Sequence, residues 1–227
     1  MTIFSLILSL LMVLGFHFIG NKLLNFFKLK AVISQISDPI YQYALIGISF
    51  FIFILYPIFF LQIYNSFFFQ LVSYSIVLCG LFFCIINLSK CKNASYLIIN
   101  KLRTRDIKEF LILFLITCYF LLSISPVTSG DSVSYHMGSA KYILEHGHFS
   151  KDLLYTEAAL VGAGEFLNAF ALSIKALQFT SLINFIGIIS IFGVIKKFSA
   201  RNFLPKDNKN FLILCFLSCP VLVFLIS

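Results

Sequence analysis

The sequence predicts an all-α, polytopic helical membrane protein of about six spans, and three observations carry that expectation. The 227 residues are 60% hydrophobic and 11% charged, with a mean hydropathy of +0.99. Soluble domains are about 45–50% apolar and about 25% charged, so water is the wrong solvent for most of this chain. The apolar residues come in continuous runs rather than alternating ones, which selects helices over a transmembrane barrel. The charged residues gather between those runs, and they do so unevenly.

The predicted spans cover residues 2–19, 41–63, 67–88, 110–125, 176–195 and 211–227. A membrane helix needs about 20 apolar residues, within about 17–25, so the fourth and sixth are short. The first run lacks a basic leader and a clear small-residue cleavage site, so it reads as a retained span. The apolar stretch 158–173 is short, rich in small residues and interrupted by Glu165, and it reads as a juxtamembrane or re-entrant helix rather than a seventh span. The whole is expected to form one membrane domain: residues 1–125 with four N-terminal spans, 126–175 as a loop with amphipathic helices, and 176–227 with two further spans.

Charge then predicts orientation. The first loop holds Lys22, Lys28 and Lys30 against Asp38. The third holds Lys90, Lys92, Lys101, Arg103, Arg105 and Lys108, and the fifth Lys196, Lys197, Arg201, Lys206 and Lys209. The second is a short turn near Asn65. The fourth, residues 126–175, has Lys141, Lys151 and Lys175 outnumbered by Asp131, Glu145, Asp152, Glu157 and Glu165. Basic loops stay in the cytoplasm, so the N-terminus and the fourth loop are expected outside. The same rule accounts for the net charge of +8 without invoking nucleic acid, which is not an expected partner. The partner implied by composition is the lipid bilayer. Six cysteines without a CxxC pair fit small hydrophobes better than a metal or disulfide framework.

The fourth loop holds the candidate chemistry. Pro126 ends the preceding span and Gly130 permits a turn. A helical pattern follows from 132 to 146, with Val133, Met137, Ala140 and Leu144 on one face and Ser134, Lys141, Glu145 and His148 on the other. Gly147 is placed to end it. Asp131 precedes this helix, and two compatible readings apply to it: a cap on the first N–H groups, or a carboxylate held at the membrane edge as general base or metal ligand. Tyr135 lies one turn on and Tyr142 continues that stripe, whereas His136 is offset from it. His146 and His148 are too few for a zinc site alone. His17, inside the first span, is expected to make an interhelical hydrogen bond. Glu165 needs a partner or a wet cavity at membrane depth, and Asn168 shares its helical face.

The stretch P-x-x-x-x-D-S-x-x-Y-H from Pro126, followed by A-K-Y-I-L-E-H-G to Gly147, resembles the large extracytoplasmic loop of polytopic glycosyltransferases of the C-type (GT-C), lipid-phosphosugar-dependent superfamily. Their bacterial members include relatives of protein mannosyltransferases and aminoarabinose transferases. Glu165-Phe166-Leu167-Asn168 resembles an E-x-L stretch that follows there, so the likeness runs over roughly 126–197. Those members commonly place the loop after their first span, carry a proline near the E-x-L stretch and are about twice as long. The resemblance therefore implies an N-terminal fragment of a longer chain. It also implies the bacterial inner membrane, a polyprenyl-phosphate sugar donor, and a lipid, glycan or protein acceptor. Asp131 would be the catalytic residue, Tyr135, His136, Lys141 and Glu165 would bind substrate, and a divalent cation (Mg or Mn) would have Asp131 as its candidate ligand. Two other classes compete with the enzyme: a transporter or channel subunit, for which an intramembrane acid such as Glu165 would mark an ion path, and a non-catalytic membrane assembly partner.

Overall fold

The computed structural model describes residues 3–59, 65–102, 106–125, 136–148, 162–202, 205–219 and 221–222, with the backbone alone for 88–102. Among these residues the protein is all-α. Its helices are α1 (Ile3–Phe26), α2 (Lys30–Ile36), α3 (Tyr43–Phe59), α4 (Ser66–Leu102), α5 (Ile107–Ile124), α6 (Gly138–His146), α7 (Ala163–Ser173), α8 (Phe179–Arg201) and α9 (Lys206–Leu217). A single 3-10 turn, Pro39–Tyr41, joins α2 to α3.

Among the described residues four helices are long and apolar enough to cross a bilayer: α1, α4 over Ser66–Asn87, α5 and α8. The apolar α3 has 17 residues, about 26 Å of rise, at the lower limit for a span. Phe53, Leu78, Ile85, Phe114 and Phe198 stand exposed on the outer faces of α3, α4, α5 and α8. A water-soluble chain rarely leaves such contiguous apolar surface uncovered, and this is an integral membrane protein.

Three boundaries depart from expectation. Helix α1 continues beyond the expected first span to Phe26, so Lys22 lies in its last turns. Helix α4 does not stop near residue 88 but runs 37 residues, about 56 Å, to Leu102, so part of the expected third loop is helical. The expected sixth span is not one helix from 211 to 227. Helix α9 starts at Lys206 and ends at Leu217, where the Ser218 N–H bonds back to the Leu214 carbonyl. Pro220 disfavours continuation, because proline restricts the residue before it and offers no N–H.

Helix α1 is the axis of the bundle and packs most extensively on α3 and α4. Small residues set those crossings. A Cβ on Gly20 or Gly47 would overlap the backbone carbonyl of Tyr43 or Phe16 across the α1–α3 contact. Gly15 and Gly80 do the same for α1 and α4, against the carbonyls of Ile76 and Leu11. Van der Waals contact at such close approach replaces the hydrophobic drive that is lost in lipid. Hydroxyls add fixed points. Ser5 donates to the Gln178 side chain (2.8 Å) and accepts from the Leu177 N–H (3.1 Å), Ser190 donates to the Tyr41 carbonyl (2.6 Å), and Tyr119 donates to the Leu217 carbonyl. His17 departs from its expected role. It packs between the rings of Tyr43 and Phe83, with centroids 5.0 and 5.2 Å away, and makes no side-chain hydrogen bond among the described residues.

These contacts sort the bundle into two ends. One gathers the start of α1, the end of α3, the start of α4, all of α6 and α7, and the start of α8. The other gathers α2, the start of α3, the end of α8 and the starts of α5 and α9. There Lys108 pairs with Asp207 at 3.1 Å and Lys206 with Glu109 at 2.9 Å.

Candidate functional site

The candidate site is built by two short helices at the first end. Helix α7 has 11 residues, about 17 Å of rise against an apolar core of about 30 Å, so it does not cross a bilayer by itself. It is wedged into the bundle, and every residue from Glu165 to Ala171 is buried. Phe166 and Phe170 insert among Phe51, Tyr56, Phe59 and Phe69, with edge-on or tilted rings 4.7–6.1 Å apart. Such pairings favour each ring's positive edge against its neighbour's negative face. Ser73 of α4 donates to the Phe170 carbonyl at 2.7 Å and fixes the depth of α7.

Helix α6 lies against α7. Residues 136–137 form a wider π turn before its first regular turn, and Gly147 ends it at φ 72°, with its N–H on the Ile143 carbonyl at 2.8 Å. The left-handed region suits glycine, which has no Cβ to clash. The buried face of α6 is centred on Ala140 and Ile143, with Leu144 packed beside them, all against α7 and α4. This corrects the expected apolar face, which omitted Ile143.

The geometry then brings together two candidates that lie 29 residues apart in the chain. His136 Nδ1 and Glu165 Oε1 are 2.7 Å apart. Glu165 Oε2 accepts the Gly162 N–H at 2.8 Å, the half of a capping box that a glycine N-cap permits. Both carboxylate oxygens of a buried glutamate are therefore satisfied, which answers the cost of carrying an acid at this depth. The glutamate side chain is 9% exposed and the histidine 45%, so the pair runs from the packed interior to an accessible surface. A carboxylate only accepts, so the proton between them sits on Nδ1, and in the neutral imidazole Nε2 is then the basic atom.

The other candidates divide. Asp131 and Tyr135 lie outside the described residues, as does Lys151. Lys141 is exposed on α6, 3.8 Å from Glu145 one turn on, so it belongs to a solvated helix face rather than to the His136–Glu165 pair. Asn168 shares a helix with Glu165 but serves elsewhere, accepting from Thr180 of α8 at 2.6 Å. Tyr142 stacks on His146 at 4.1 Å between ring centroids, with His148 at 5.8 Å, making a small aromatic cluster at the end of α6. Lys175 adopts φ 61° in the tight connection from α7 to α8. Among the described residues no three His, Cys, Asp or Glu side chains gather as a metal would require. Glu165 and His136 supply two donor groups, already engaged with each other.

The signal for the pair was present in the sequence only as two separate hints, a glutamate without an assigned partner and a histidine set off from the polar stripe. Nothing local joined them.

Residues 88–227 match the family model described as the DUF1420 N-terminal domain, and the chain belongs to that family. No curated protein and no solved structure matches the chain.

Proposed function

We propose that this member of the DUF1420 N-terminal domain family is a membrane glycosyltransferase, moving a sugar from a polyprenyl-phosphate donor to a hydroxyl of a lipid, glycan or protein acceptor on the extracytoplasmic side. The single observation that supports this reading best is the 2.7 Å contact between His136 and Glu165. It sets His136, the last residue of the D-S-x-x-Y-H motif, beside Glu165, the first of the E-F-L-N motif, and both motifs belong to the glycosyltransferase resemblance. Orientation follows from charge. The end holding Lys22, Lys108, Lys196, Lys206 and Lys209 is assigned to the cytoplasm and the α6–α7 end to the outside of a bacterial inner membrane.

In this mechanism the acceptor oxygen attacks the anomeric carbon, the new glycosidic C–O bond forms, and the C–O bond to the phosphate breaks with its electrons. The acceptor proton passes to a positioned base, for which Asp131 is the first candidate. A base in the right place contributes about 10²–10⁴-fold. Glu165 orients His136 through Nδ1, which leaves His136 Nε2 as the atom that can take up a proton and pass it to a departing phosphate oxygen. Lys141, on the exposed face of α6 beside Glu145, is the cation offered to the donor phosphate, and a divalent ion at Asp131 would supply the same charge when bound.

The test uses the purified full chain in detergent with radiolabelled undecaprenyl-phosphate sugars. The expected result is transfer by the wild type, lowered about 100-fold or more in Asp131→Asn and less steeply in His136→Gln and Glu165→Gln. Equal transfer by wild type and Asp131→Asn, or no transfer from any donor, overturns the proposal. A proton-coupled carrier is the second reading, favoured by the same buried acid beside a half-exposed histidine. Proton flux into proteoliposomes that vanishes in Glu165→Gln, without any sugar transfer, would replace the enzyme with it.

A further inference from the structure

At the opposite end of the bundle, two neighbouring clefts of about 370 and 500 Å³ open between the connection into α3 and helices α5, α8 and α9. They share Tyr41, Lys196 and Lys209. The larger is walled by Ile112, Ile116, Ile189, Phe192 and Ile213, and its polar lining includes Glu109, Lys196, Lys209 and Asn210. Its one carboxylate, Glu109, is already held by Lys206 at 2.9 Å. In the smaller cleft Asp38 accepts the Ile40 N–H at 3.3 Å as a cap, and Lys197 adds a further cation. Among the described residues Lys196, Lys197 and Lys209 have no carboxylate partner. Lys196 instead rests over the Tyr41 ring, 5.6 Å from its centroid and 3.4 Å from its hydroxyl.

A second, independent feature lies in the same cleft. Asn210 is only 6% exposed, and its side-chain Nδ2 has no hydrogen-bond partner among the described residues. Buried donors are nearly always satisfied, so an orphan in the wall of a cleft marks a place where an acceptor belongs. Two unneutralised lysines, a buried amide donor and an adjoining apolar wall together describe an amphiphile with an anionic head.

We propose that this cleft binds the phosphate headgroup of an anionic lipid. Lys196 and Lys209 meet the phosphate oxygens, Asn210 Nδ2 donates to a phosphate or ester oxygen, and the isoleucine-lined wall takes the first methylenes of a chain. Lipid is the source favoured over free phosphate because the site is bounded by α5 and α8, two helices long and apolar enough to cross a bilayer, and because most of its lining is apolar. Basic pockets between transmembrane helices are suited to such headgroups. The site is at the far end from His136 and Glu165, so the inference stands apart from the proposed reaction.

Native mass spectrometry of the full chain, released from detergent with dioctanoyl phosphatidic acid, dioctanoyl phosphatidylcholine or inorganic phosphate, tests it. The wild type should retain phosphatidic acid in preference to phosphatidylcholine. Each lysine near an anionic head is worth roughly fivefold, so Lys196→Gln/Lys209→Gln should weaken retention about 25-fold. Lys22→Gln/Lys28→Gln, which removes the same charge elsewhere at this end, should leave retention unchanged. Asn210→Leu should weaken retention without lowering the melting temperature of the lipid-free protein. Should the double lysine variant fail to fold, Asn210→Leu decides alone. Equal retention of both lipids, equal loss in the two double variants, undiminished retention in Asn210→Leu, or displacement of phosphatidic acid by inorganic phosphate at equal concentration would overturn the proposal.

Discussion

Removing the carboxylate of Glu165 gives the sharpest test of the α6–α7 geometry. Glu165→Ala strips two hydrogen bonds at once, the 2.7 Å contact to His136 and the 2.8 Å bond from the Gly162 N–H. Bonds to a charged group contribute about 1.5–3 kcal/mol each in protected surroundings, and less where water can replace them. His136 is half-exposed and Gly162 only partly buried, so both belong near the lower end. The expected loss for Glu165→Ala is therefore about 2–4 kcal/mol. Glu165→Gln keeps the shape and one acceptor but loses charge assistance, for about 1–2 kcal/mol. A double-mutant cycle with His136→Gln should return a coupling of about 0.5–1.5 kcal/mol. Equilibrium unfolding in mixed micelles, followed by far-UV circular dichroism, measures all three. If Glu165→Ala unfolds with the wild type, or if the coupling falls within about 0.3 kcal/mol of zero, the pair does not form and the site as described is wrong.

Three further outcomes follow from the packing and charge. Gly47→Val forces a side chain into the Phe16 carbonyl and should loosen α1 from α3 by about 2–4 kcal/mol in the same unfolding assay, whereas Gly187→Ala, with open space around it, should be nearly silent. The Lys206 ammonium is held above its ordinary range near 10.5, first by its hydrogen bond to Glu109 and then by the nearby carboxylate charges. A cation whose folded pKa is raised contributes fully below its unfolded value and loses that contribution as pH climbs through the folded one. The α5–α9 contact should accordingly weaken only above about pH 10.5, by a small margin since Lys206 is fully exposed, and Lys206→Met should erase the difference in a pH-resolved melting series. Finally, cysteines placed at Ser139 and Arg201 should label from opposite faces of sealed vesicles, since the two positions lie at opposite ends of the bundle. Labelling of both from one face would contradict the two-ended arrangement.

Hydropathy read along the chain was enough to establish the all-α membrane class and to locate the long apolar helices, though not the short α2, because the transfer free energy of an apolar run is a local sum. The glycine at the end of α6 was also legible, since a left-handed backbone at one residue depends on that residue. The boundaries it misplaced are instructive. Polar sequence after residue 88 marks where lipid ends but not where the helix ends, since α4 continues beyond the apolar window. The apolar run at the end of the chain suggested a continuous helix, yet α9 stops three residues before Pro220.

What the sequence could not decide were the meetings of distant residues. His136 and Glu165 touch because α7 is wedged beside α4 at one depth and α6 is rotated to bury Ile143, and neither fact has a local signature. The glycines of α1 gain their meaning only from the carbonyls that arrive against them, and Asn210 becomes an orphan only when α9 packs beside α5 and α8. Composition and period record how each segment meets its solvent. Which side chains meet each other is settled by helix rotation and depth, which depend on all the packed surfaces at once.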